Sequence, residues 1–149
     1  KWKEYSRLAR VWADRLLESG VGLVANPLGR AGAPALSTVP GALPGGSYFA
    51  QVSWLDAWGN EGAASEAAAM VTQDLTQLVV TPPAAPQNAC GWNVYAGATA
   101  EAMARQNDET LELGTIWTMP AEGPRAGRAA SQGQGPDLYV TIQRARRRG

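Results

Sequence analysis

The chain has 149 residues, with 13 Lys and Arg against 13 Asp and Glu, one cysteine and no histidine. That length suits one domain with a modest core, and Cys90, being alone, can form no internal disulfide. Without histidine the chain lacks the commonest general base and the commonest transition-metal ligand, which excludes Ser-His-Asp and Cys-His catalysis and most zinc sites.

The neutral total conceals an uneven distribution. Residues 1–30 carry Lys1, Lys3, Arg7, Arg10, Arg15 and Arg30 against Glu4, Asp14 and Glu18. Over 31–122 a single base, Arg105, stands among nine acids, and beyond 122 six arginines face Asp137 alone. An acidic body between two basic ends suits arms that seat on acidic surfaces, including other copies of the same chain. No apolar run approaches the ~20 residues that span a bilayer, and the charged opening KWKEYSRLAR is unlike a signal peptide. No membrane association is expected.

Residues 1–19 read as an amphipathic helix. Trp2, Tyr5, Ala9, Trp12 and Leu16 recur at spacings of three and four, and Ser19-Gly20 supplies a stop. The stripe has two destinations, its own domain or a neighbouring subunit. The second is preferred, because tryptophan and tyrosine are enriched at interface hot spots. Residues 20–42 form a Gly/Pro-rich connector with short strand candidates at 21–25 and 35–39.

The clearest pattern starts at 43. In SYFAQVSWLD, alternation sets Tyr48, Ala50, Val52 and Trp54 on one face and Phe49, Gln51, Ser53 and Leu55 on the other, so one face reads as core. The turn AWGNEG follows, with Gly59-Asn60 and Gly62 as its positive-φ positions and Asp56 as acceptor for the next amides. The Ala-rich run 64–73 is expected to be the returning strand. Residues 75–81 give another, ended by Pro82-Pro83. Cys90 is expected to be a buried or semi-buried thiol. In GWNVYAG, Trp92, Val94 and Ala96 alternate with Asn93 and Tyr95. Residues 98–108 read as a loop or one helical turn pairing Glu101 with Arg105, and 111–113 and 116–119 as short strands.

Residues 121–149 are expected to be an extended basic arm. The run 120–137 is too poor in apolar residues to fold independently, whereas Leu138, Val140 and Ile142 share one face of a terminal strand that joins its own sandwich or a neighbour's sheet edge. Arg144, Arg146, Arg147 and Arg148 read as a solvated tail or a contact to an acidic neighbour, with nucleic acid the lesser reading because no aromatics are interleaved. Asp56, Asn60 and Glu61 fit no standard calcium loop and are assigned to turn chemistry. Trp58 at the turn tip either contacts a glycan or protein or folds back on its own sheet.

The segments LPGGSYFAQVSWLDAWGNEGAASEAAAMVT, TQLVVTPPAAPQNACGWNVYAG and LELGTIWTMP, spanning 43–120, resemble fibronectin type III-like modules of bacteriophage virion proteins. Asn60-Glu61-Gly62 and Cys90-Gly91-Trp92 depart from the usual residues without disturbing the strand pattern. The resemblance implies an all-β antiparallel sandwich without catalytic residues or cofactors, a scaffold in a virion neck, tail or capsid surface assembled in the host cytoplasm. Expected partners are other virion proteins and further copies of the chain. The helix and the arm lie outside the resemblance, and their own patterns give the expected interface residues, Trp2, Tyr5, Trp12, Leu16, Leu138, Val140 and Ile142. A carbohydrate-binding or adhesion module using loop aromatics is the alternative.

Overall fold

A computed structural model describes residues 20–23, 26–134 and 138–141. The chain divides into two units, Leu28–Gln134 and the paired flanks Lys1–Pro27 with Gly135–Gly149. Strands, in chain order, are β1 Gly20–Leu23, β2 Ala35–Leu43, β3 Gly46–Leu55, β4 Ala68–Thr72, β5 Thr76–Thr81, β6 Gly91–Gly97, β7 Ala104–Arg105, β8 Trp117–Thr118 and β9 Leu138–Thr141. The amphipathic helix expected at 1–19, and with it Trp2, Tyr5, Trp12 and Leu16, lies outside the described residues.

The central unit is a β-sandwich of two antiparallel sheets, ordered β2-β5-β8 and β4-β3-β6-β7. Its compact extent takes in β2 and residues 121–134 as well as the 43–120 read from the sequence. Alternation builds the core. Opposite one another in register stand Ala50 and Ala96, Val52 and Val94, and Trp54 and Trp92. With Tyr48 they meet Leu78 and Val80 of β5, Leu43 of β2 and Met119 in one buried cluster. Trp92 is fully buried, and its indole N–H donates to the Glu112 carbonyl at 3.0 Å, so the large apolar ring enters without an orphaned donor.

Proline and small residues set the limits of the strands. The β2–β5 register slips between Pro40 and Leu43, both opposite Thr76, where proline has no N–H for the ladder. β5 stops at Thr81, just before Pro82-Pro83. The returning strand is shorter than the 64–73 expected. Before Ala68 the chain makes irregular bonds to β3, with Gly62 N–H to the Trp54 carbonyl at 2.9 Å, Ser65 N–H to the Val52 carbonyl at 2.8 Å, and Val52 N–H to Ser65 Oγ at 3.1 Å. The serine hydroxyl there replaces a main-chain acceptor.

Three local expectations change. Glu101 and Arg105 do not share a helical turn, because the 3-10 turn covers only Ala100–Ala102 and Arg105 belongs to β7. Cys90 is exposed, since its amide closes on the Leu55 carbonyl at 2.7 Å in a surface turn. In the β3 turn only Gly59 has positive φ, at 79°. Gly62 serves close approach, as a Cβ there would stand 2.9 Å from Leu28 Cβ.

In the flanking unit, β1 pairs antiparallel with β9, Val21 opposite Val140 and Leu23 opposite Leu138. The terminal strand was expected to join a sandwich sheet or a neighbour's edge; within the chain it joins β1 instead. Ile142, Arg144, Arg146, Arg147 and Arg148 lie outside the described residues.

Candidate functional site

Alternation in β3 and β6 that points Trp54, Trp92 and Val94 inward turns Ser53, Asn93 and Tyr95 to the opposite face. There they are as buried as the core. Residues 121–134, expected as part of an arm, cross this outer face as a strap. The Arg105 amide donates to the Arg128 carbonyl at 2.9 Å, and Gln106 exchanges bonds with Arg125, its amide side chain donating to the Arg125 carbonyl at 2.9 Å and accepting from the Arg125 N–H at 2.8 Å. Gln134 closes the strap, donating to Asp56 Oδ2 at 3.2 Å and accepting the Leu28 amide at 2.7 Å.

Glu61 holds the centre. An isolated bridge pairs it with Leu55 at the end of β3, and its side chain, 11% exposed, lies between sheet and strap. Oε2 accepts from Ser53 Oγ, Asn93 Nδ2 and Tyr95 OH, each at 2.6 Å. Oε1 accepts from Arg128 Nη1 at 3.1 Å and Ser131 Oγ at 3.4 Å. The Arg128 guanidinium also lies 5.6 Å from the centroid of the Tyr95 ring. Asn107 extends the network, donating to Asn93 Oδ1 at 2.8 Å and accepting the Val94 amide at 2.9 Å.

These contacts decide the charge states. Burial pushes the Glu61 carboxyl up, but the hydrogen bonds from Ser53, Tyr95, Asn93 and Arg128 together outweigh it and hold its pKa at about 2. Burial pushes the Tyr95 phenol up, and its bond to the Glu61 carboxylate carries it to about 12. A strongly stabilised anion whose two oxygens accept five donors is a poor proton acceptor. The arrangement fastens strap to sheet.

The turn beside it follows the turn chemistry expected of Asp56 and Asn60, whereas Glu61, assigned to the turn with them, commits its carboxylate to sheet and strap instead. Asp56 Oδ1 accepts the Trp58 and Asn60 amides, both at 2.9 Å. Burial raises the Asp56 pKa, yet the amides of Asn60 and Trp58 and two side-chain donors leave it below its ordinary value. Among the described residues no group of three or more His, Cys, Asp or Glu is placed to hold a metal. This turn lifts Trp58 off the sheet to 80% exposure, which resolves its orientation: it does not fold back.

Of the sequence-derived site residues, Trp58, Leu138 and Val140 lie within the described residues, the last two on β9, and the fastening was absent from the expectations. Its signal was present in part. Asn93 and Tyr95 sit among the core residues of GWNVYAG, and buried polar residues on the back of a strand require a covering segment. Among the described residues no helix is long and apolar enough to cross a membrane. Searched against protein-family models, curated protein sequences and solved structures, the chain finds no match in any of the three.

Proposed function

We propose that this chain is a non-enzymatic structural protein of a bacteriophage virion, a multi-copy component of the neck, tail or capsid surface. Its sandwich is the rigid body and its flanking segments make the contacts to adjacent subunits. The residue resemblance over 43–120 supports the class, and its segments contain β3, β4, β5, β6 and β8 of a sandwich with three and four strands per sheet. The observation that carries the assembly reading is the β1–β9 ladder. It joins the segments before and after the sandwich into a short ribbon that has two strands among the described residues, and a two-stranded ribbon is marginal in water by itself. A further strand or surface from a neighbouring subunit would complete it.

Light scattering on the full chain, at physiological and at high salt, tests this reading. The expected result is a concentration-dependent oligomer that salt weakens, as basic ends on acidic bodies require. A strict monomer at high concentration sinks it. Exposure of Trp58 favours the second reading, a carbohydrate-binding or adhesion module. Glycan-array binding abolished by Trp58→Ala would move the assignment there.

A further inference from the structure

The sequence has one base, Arg105, among the nine acids of 31–122. Folding brings two strap arginines to it. Arg105, Arg125 and Arg128 line one groove of about 270 Å³ together with Asn107 and Asp108. Arg105 and Arg125 converge on the same residue, Arg105 Nη2 donating to the Asp108 carbonyl at 3.3 Å and Arg125 Nη2 standing 3.2 Å from Asp108 Oδ1. Arg128 is held at the far side by Glu61 at 3.1 Å.

The three cations are not equally compensated. Arg125 has Asp108 and Arg128 has Glu61, whereas Arg105 has no ion pair among the described residues. Its Nε is also buried without a hydrogen-bond partner. A guanidinium with an orphaned buried donor and no counter-charge is costly, and native proteins satisfy such groups with an ion or ordered water. Among the described residues no carboxylate pairs with Arg105, so its charge is left to be balanced by solvent or by an anion in the groove that it lines. Asp108 is the single acid lining it, and Asp108 is already engaged by Arg125.

We infer that this groove binds a tetrahedral oxyanion of the phosphate or sulfate class, held by the Arg105 guanidinium with Arg125 and Arg128 as flanking donors. Planar guanidinium forks match such anions better than ammonium groups do, and with Arg125 paired to Asp108 and Arg128 to Glu61, the unpaired Arg105 leaves the groove with net positive charge within an otherwise acidic body. The groove is lined by residues of the central unit.

The test is a titration of the full chain with inorganic phosphate and with sulfate at constant ionic strength, followed by backbone and arginine Nε–H resonances. Saturable shifts confined to residues 105–108 and 125–128 are expected, with low-millimolar affinity and no counterpart in chloride. Arg105→Gln should weaken binding about tenfold. Arg105→Lys, which keeps the charge and loses the fork, should weaken it by a smaller factor. Shifts that stay linear, that chloride reproduces, or that appear equally at Arg30, which is paired with Glu66, would overturn the assignment. So would unchanged affinity in the lysine and glutamine variants; an ordered water at Arg105 would give that result.

Discussion

The two faces of the β4-β3-β6-β7 sheet are built by alternate residues of the same strands, and both are buried. They are held by different physics. The inner face, Val52, Trp54, Trp92 and Val94, is covered by a second sheet and gains from removal of apolar surface from water, which needs shape but no particular partner. The outer face, Ser53, Asn93 and Tyr95, is covered by a strap without regular structure and depends on one carboxylate meeting five donors. Apolar packing tolerates replacement by similar volume, whereas a buried polar network fails when one member is removed and the others lose their partners. The sandwich therefore has a forgiving side and an exacting one.

Substitutions can break this contrast in order of expected size. Trp92→Ala should cost about 3–5 kcal/mol by denaturant unfolding, as a large core side chain leaves a cavity. Trp92→Phe should cost much less, which is the forgiving behaviour in question. Glu61→Ala should cost about 3 kcal/mol although it removes little apolar area, because Ser53, Asn93, Tyr95 and Arg128 are then left without their acceptor. If Glu61→Ala is neutral, the outer face is held by the strap's main-chain bonds and the comparison collapses.

Acid sharpens it without mutation. Glu61 ionises near 4.5 when unfolded and near 2 when folded. A depressed pKa contributes stability that is complete above about 4.5 and is lost as pH falls toward 2, an amount of roughly 3 kcal/mol. Unfolding free energies measured between pH 6 and pH 2 should show this loss in the wild type and not in Glu61→Gln. Tyr95→Phe should cost about 1 kcal/mol and should abolish the loss of stability expected between pH 10 and about 12, where the phenol ionises first in the unfolded chain. Trp58→Ala, at an exposed turn tip that belongs to neither face, should stay within about 0.5 kcal/mol of wild type, so any large effect of it on binding is a direct contact.

Much of the inner face was legible along the chain. The period of two in SYFAQVSWLD and in GWNVYAG fixes which residues share a side, and both sets of inward residues appear in the core. Pro82-Pro83 marked the end of β5, and Asp56 ahead of Gly59 and Asn60 marked the turn that projects Trp58. Strand lengths were less legible. The Ala-rich run 64–73 carried no sign that the Ser65 hydroxyl would interrupt the ladder. The same pattern of small residues suits a strand and an irregular stretch equally.

What the sequence determined by itself is local: alternation, turn chemistry, the stops imposed by proline, the absence of histidine, and the separation of an acidic body from basic ends. These follow from side-chain period and backbone dihedral limits, which depend on near neighbours alone. What only the tertiary structure decided is which distant groups meet. Glu61 reaches Asn93 and Tyr95 over 32 and 34 residues and Arg128 over 67, and Arg105 receives Arg125 and Arg128 from a segment that reads as a polar loop. No period encodes such pairings. They arise because a sheet has two faces, and burying the second obliges the chain to bring a charge and its partners there together.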